Sequence, residues 1–290
     1  MRYRRSRRAA KQLAYLILLT LAIVSCRGPQ EVWKILPPVP TLPTANESGY
    51  APVNDIEMWY ATFGQGQPVV LLHGGLSSSD YWGNLVPVLM RHQFRVIVAD
   101  SRGHGRSTRS QQPYSYDLMA SDVLGLMDYL KLERVDLVGW SDGGIIGIDI
   151  AISHPERLHR MFVFGANTDP SGLIESFDRT PVFAAFIKRS GDEYRKLSRT
   201  PDEYNAFLDQ IGHMWATQPH FTDDQLRRIS VPTTIADGQY DEGIKQSHDV
   251  YMAGMIPTAR LVILPNVSHF AMLQNPAAFN AAVLSALTAR

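Results

Sequence analysis

The feature that most constrains what this chain can fold into is a rhythm that begins near residue 55 and runs almost to the end. Short apolar runs alternate with segments of helical spacing. Pro68–Leu72, Phe94–Asp100, Val135–Gly139, Leu158–Phe164, Pro232–Ala236 and Arg260–Leu264 are too short for helices and read as strands buried on both faces. Asp55–Phe63 alternates in polarity, as a strand covered on one face does. Between them, Asp80–His92, Tyr116–Leu130, Gly144–His154, Lys245–Met255 and Pro276–Leu287 carry apolar residues at helical spacing. Such alternation predicts an α/β fold, a mostly parallel central sheet with helices on both faces. The rhythm breaks once. Residues 170–229 hold no convincing buried strand, only helical stretches around Val182–Arg189, Asp192–Leu197, Pro201–Ile211 and Thr222–Ile229. We read an inserted helical cap over 169–229, dividing a core made of 50–168 and 230–290. With 290 residues, 45% of them hydrophobic, the chain can bury one such domain with its insertion.

The first 49 residues follow different rules. Arg2, Arg4, Arg5, Arg7, Arg8 and Lys11 precede an apolar run, Leu13–Val24, and a small residue stands before Cys26. These are the parts of an export signal. Twelve helical residues span about 18 Å, short of the roughly 30 Å hydrocarbon core, which disfavours a stable membrane-crossing helix. Ile23-Val24-Ser25-Cys26 resembles the lipobox of bacterial lipoproteins. The resemblance implies a signal peptide over 1–25, a lipid on Cys26, and a protein exported to the bacterial cell envelope and anchored to a membrane. An ordinary signal peptide, or an uncleaved anchor with an incidental cysteine, is the alternative. Cys26 is the only cysteine, so no internal disulfide can form. Pro29, Pro37, Pro38, Pro40 and Pro43 disfavour helix and sheet interior, so 26–49 reads as an extended tether. Without the six basic residues of the first 25 positions, 22 basic residues face 28 acidic ones, a net of −6. A body of that sign has no electrostatic footprint for nucleic acid.

The chemistry concentrates where strands end. Gly139-Trp140-Ser141-Asp142-Gly143 lies between an apolar strand and a helix. In that context G-x-S-x-G describes a sharp turn that projects the serine hydroxyl, with glycines where side chains would collide. A serine hydroxyl needs a base to take its proton, and the base needs an acid to orient it. His269, after the strand Arg260–Leu264, has the right position to be that base. Two acids compete after Pro232–Ala236: Asp237, which ends the strand, and Asp241, which a turn at Gly238 carries toward the same sheet end as Ser141. We prefer Asp241; Asp169 is a weaker third. His73-Gly74-Gly75-Leu76 follows the strand Pro68–Leu72 and lets backbone approach a ligand. The expected oxyanion donors are the N–H groups of Gly75 and Asp142, with Leu76 as the alternative to Gly75.

From about Tyr50 onward the chain resembles the α/β-hydrolase superfamily. The matching parts are His73-Gly74-Gly75, Asp100–Ser107, Gly139–Gly143, Gly238–Asp241 and Ser268-His269-Phe270. The resemblance supports Asp241 as the acid and makes Asp100–Ser107 a structural loop, with His104 outside the chemistry. It implies hydrolysis of a small carboxylic ester or lactone through an acyl-enzyme at Ser141, with no cofactor or metal. Carbon–carbon bond hydrolysis, acyl transfer or perhydrolysis on the same triad, and ligand binding without turnover, are the alternatives. Asp142 departs from the methionine or other uncharged residue common at that position. Its carboxylate either disfavours anionic substrates or points into the following helix.

Overall fold

The computed structural model describes residues 31–289. The signal-like segment and Cys26 lie outside the described residues. No helix among the described residues is long and apolar enough to cross a membrane.

Eight strands form one sheet: β1 (Glu47–Val53), β2 (Ile56–Gly64), β3 (Gln67–Leu72), β4 (Phe94–Ala99), β5 (Val135–Trp140), β6 (Leu158–Phe164), β7 (Thr233–Gly238) and β8 (Ala259–Leu264). Their spatial order is β1-β2-β4-β3-β5-β6-β7-β8. β2 runs antiparallel to its neighbours β1 and β4, and the remaining pairs are parallel. The fold class read from the alternation is the one observed. Every residue of β5 is buried, which is why that strand reads as an apolar run rather than an alternating one. The chain leaves β3 for β4 on one side and reaches β5 on the other. The two strands therefore flank a topological switch point, where the loops beyond their C-terminal ends separate and leave a crevice.

Two expectations need correction. The folded body starts before Tyr50, because Glu47–Val53 forms the antiparallel edge strand β1 through a tight turn at Asn54 (φ 46°). The Pro-rich stretch has no regular structure apart from a single turn at Val32–Lys34, yet it is not a free tether. Val32, Leu36, Val39, Leu42 and Ala45 pack against the core. Arg189 donates to the carbonyls of Leu36 and Pro37, at 2.9 and 2.6 Å, and the Gln274 amide donates to that of Ile35 at 3.0 Å. Carbonyls between prolines have few backbone donors to satisfy them, and these side chains meet that need.

The inserted segment is helical, as its lack of buried strands predicts. The stretches expected at Val182–Arg189 and Asp192–Leu197 are one continuous helix, Pro181–Leu197. Ser190 and Gly191 do not break it, because the Ser190 hydroxyl bonds back to the Ile187 carbonyl (2.8 Å) and meets the Tyr204 hydroxyl (2.7 Å). A second helix, Tyr204–Thr217, packs on the first through Phe207, whose ring stacks on Tyr194 with centroids 5.1 Å apart. A short helix, Asp223–Arg227, closes the insertion behind a capping box formed by Thr222 and Gln225.

Candidate active site

Ser141 stands between β5 and the helix Asp142–Ser153 with φ 54° and ψ −120°, a conformation costly for any residue with a side chain. The surroundings fix it there. The Ser141 N–H donates to the Phe164 carbonyl at 2.8 Å, tying the turn to β6, and its carbonyl accepts from the Gly144 and Ile145 N–H groups. The flanking glycines are required by space. A Cβ on Gly139 would lie 2.3 Å from the Gly143 carbonyl oxygen, and one on Gly143 would lie 2.1 Å from that of Leu72. The helix that begins at Asp142 directs its positive end at the serine.

His269 follows β8 and the turn Pro265–Ser268, and is buried. Its Nδ1 lies 2.6 Å from Asp241 Oδ2. The other Asp241 oxygen accepts the N–H groups of Gly243 (2.6 Å) and Ile244 (2.9 Å). Of the two acids, Asp241 reaches the imidazole, whereas Asp237 lies at the end of β7 and accepts from the Gly238 N–H at 2.7 Å. Asp169 caps an exposed turn, accepting from Ser171 N–H and meeting His220 at 3.3 Å, outside the site. Burial raises the carboxyl of Asp241, but the adjacent imidazole and the backbone donors outweigh it and hold the group below the usual carboxylate range. Burial likewise disfavours a charged His269, yet Asp241, then Glu242 and Asp142, outweigh that penalty, so the histidine is more basic than usual.

Ser141, His269, Gly75 and Asp142 line one cavity of about 30 Å³ beneath the cap, with Phe177, Phe183, Phe186 and Trp215 supplying much of its wall. Gly75 faces this cavity. Leu76 (φ 61°) instead lines a separate hollow beside His104 and Phe207.

The Asp142 carboxylate has its partners outside its own helix. Its carboxylate accepts from the Tyr116 hydroxyl (2.9 Å) and from the Trp215 indole N–H (2.9 and 3.0 Å to its two oxygens). It thus joins the residue after the nucleophile to the cap helix Tyr204–Thr217. Burial pushes its carboxyl up to about 6, against the opposing donors Trp215 and Tyr116. Neither partner is marked by a motif in the sequence. The only hint was the odd charge of Asp142 itself.

The loop after β4 is a scaffold, as expected. Asp100 accepts from Ser79 N–H (2.8 Å) and hydroxyl (2.6 Å) and from the Arg106 N–H (2.8 Å), and buried Arg102 pairs with Asp122 (2.7 Å). His104 is buried against Phe207, which pushes its imidazole down to about 3 and keeps it neutral. No group of acidic, histidine or cysteine side chains that could hold a metal ion occurs among the described residues.

The chain has relatives among proteins of known sequence and structure. A family model described as the alpha/beta hydrolase fold matches residues 67–186. A putative non-heme chloroperoxidase from Synechocystis sp. is 31% identical over 248 residues, covering 74% of this chain and 88% of the relative. The 2-hydroxy-6-oxo-6-(2'-aminophenyl)hexa-2,4-dienoic acid hydrolase of Metapseudomonas resinovorans is 26% identical over 265 residues, covering 81% and 89%. Among solved structures, the enol-lactonase from Burkholderia xenovorans LB400 superposes with a TM-score of 0.67 at 26% identity, over 83% of this chain and all of that one.

Proposed function

The chain belongs to the α/β-hydrolase fold family, and from that premise we propose that it is a serine hydrolase cleaving a small carboxylic ester or lactone through an acyl-enzyme. The observation that carries this reading is the His269–Asp241 pair, 2.6 Å apart, with His269 lining the same cavity as a strained Ser141. The Ser141 hydroxyl attacks the carbonyl carbon while His269 takes its proton, and Asp241 holds the imidazole and balances its charge. The oxyanion meets the N–H groups of Gly75 and Asp142. His269 returns the proton to the departing alcohol, and a water molecule then releases the acid by the same steps.

Asp142 bears on the choice of substrate. One of the relatives is named for a substrate with a carboxylic acid group, a dienoic acid, and one of the solved structures for an enol lactone. A carboxylate near the acyl carbon would here face the buried charge of Asp142 among aromatic side chains, where like charges repel strongly. The site therefore suits an acyl group without a carboxylate beside the scissile bond, and an ester or uncharged lactone fits better than the acid substrate of a carbon–carbon bond hydrolase.

Labelling with a fluorophosphonate probe, followed by peptide mapping, tests the assignment. An adduct on Ser141 that Ser141→Ala abolishes is expected; a folded protein that takes no label would overturn it. A panel of uncharged aryl esters and lactones, set against carboxylate-bearing analogues, then tests the role of Asp142. For the N-terminus, we infer lipid attachment at Cys26 and export to the envelope from the lipobox-like run. Cys26→Ser should release the protein from the membrane fraction, and an unchanged distribution would count against that inference.

A further inference from the structure

Asp237, the acid that lost to Asp241 as partner of the histidine, is neither exposed nor idle. It ends β7 fully buried. One of its oxygens accepts from the Gly238 N–H. The other, like both carboxyl oxygens of Asp249 on the helix Gln246–Met255, finds no protein donor among the described residues. Asp237 and Asp241 stand on either side of the tight turn that the Asp241 N–H closes on the Gly238 carbonyl (3.1 Å), and the Asp237 side chain interacts with those of both Asp241 and Asp249. Three carboxyl groups thus share one buried space behind the imidazole, with His269 as the single cationic partner in contact with them among the described residues.

Three negative charges cannot share that space. Donors decide which one persists. Asp241 holds the His269 Nδ1–H and two backbone N–H groups. Asp237 holds one backbone N–H, and Asp249 has no donor for either oxygen. The charge therefore rests on Asp241, and the proton retained on Asp237 has an acceptor beside it.

We propose that Asp237 is a positioning residue of this site: as an uncharged carboxylic acid it donates a hydrogen bond to Asp241 and so limits the negative charge that the carboxylate presents to His269. The proposal rests on the reading of Ser141, His269 and Asp241 as the catalytic triad and adds a fourth member behind it. Burial, with Asp241 and Asp249 alongside, pushes the Asp237 carboxyl well above the ordinary range, and burial brings Asp249 to about 7. The other acids that act on the imidazole are Glu242, whose carboxylate accepts the His269 backbone N–H at 3.3 Å, and Asp142.

Asparagine and valine variants at position 237 separate the donor from the charge. Asp237→Asn keeps an N–H donor toward Asp241 and cannot ionise; Asp237→Val removes the donor at similar size. Without the donor, Asp241 draws the imidazolium proton more strongly. The acidic limb of the kcat/KM–pH profile should then move up by about half to one pH unit in Asp237→Val, with KM nearly unchanged, and stay near the wild-type position in Asp237→Asn. Infrared spectra provide a readout independent of turnover: wild type should carry the C=O stretch of a buried carboxylic acid, diminished in Asp237→Asn. If both variants move the limb down, Asp237 carries a charge, and the proposal fails. If neither moves it and no acid band is lost, Asp237 only fills space, and the proposal fails again. Should Asp237→Val not fold, the asparagine profile and the infrared band decide by themselves. A wild type that turns over no ester would defeat the reading of the triad, while the infrared band would still report whether Asp237 holds its proton.

Discussion

The two walls of the catalytic cavity are built by opposite means. On the sheet side, backbone dictates position: Ser141 hangs from the Phe164 carbonyl, Gly139 and Gly143 leave no room for a methyl group, and Asp241 is cradled by two N–H groups. On the cap side, position comes from side chains: Phe177, Phe183 and Phe186 meet edge to face, and Trp215 holds one carboxylate. Backbone hydrogen bonds in a packed sheet have one arrangement, whereas aromatic side chains can repack at modest cost. The difference assigns the roles: the sheet side fixes the reacting atoms, and the cap side shapes and admits the substrate. The cavity between them is lined from both sides, by Ser141 and His269 on one and by Phe177 and Trp215 on the other.

Substitutions can set the two walls against each other. The largest effect belongs to the sheet side: Ser141→Ala should lower kcat by at least about 10³-fold with the fold intact, read by ester hydrolysis and thermal melting. In the wild type, the same assay should show activity rising with pH above the ordinary histidine value of about 6.5, because His269 must shed a proton that Asp241 helps it keep. Gly143→Ala follows. Its methyl group would meet the Leu72 carbonyl at 2.1 Å, so we expect loss of roughly 3 kcal/mol or more of stability, visible as a large fall in Tm. A Gly143→Ala protein as stable as wild type would break the comparison, because the sheet side would then be as forgiving as the cap. Trp215→Phe keeps the ring and removes the bond to Asp142. Roughly a threefold to tenfold change in kcat/KM is expected, carried mainly by KM, since a cap contact governs entry rather than chemistry. The smallest effect is Thr222→Ala, which removes a helix cap from the insertion for about 1 kcal/mol and should leave kcat alone.

What could be read from the sequence divides along the same line. Buried strands, the serine turn and the histidine loop leave local marks, because glycines and short apolar runs are consequences of backbone geometry. Ser141, His269 and Gly75 were legible for that reason. The choice of Asp241 over Asp237 was only half legible: both lie at the C-terminal end of β7 or just beyond it, and the N–H groups of Gly243 and Ile244 that hold Asp241 are encoded by no spacing rule. The partners of Asp142 were illegible. Tyr116 lies 26 residues before it and Trp215 lies 73 residues after, and the three meet only when the cap folds over the core. The Pro-rich stretch was misjudged as a tether, since its composition reports a lack of regular structure and says nothing of what its carbonyls bond to.

That stretch has a mechanical consequence. Residues 32–45 run outside the body like a brace, and their attachments touch both walls of the site: Arg189 on the cap helix Pro181–Leu197, and Gln274 just beyond the histidine loop, with Trp33 stacked on Tyr240 beside Asp241 (centroids 4.0 Å). Force applied to the chain ahead of Val32 would therefore load the cap and the acid turn before it reached the first strand. The strand order alone would make β1 the outer end of this machine. The contacts move that end some fifteen residues upstream, to a strip without sheet or long helix that ties the cap and the acid turn into one frame.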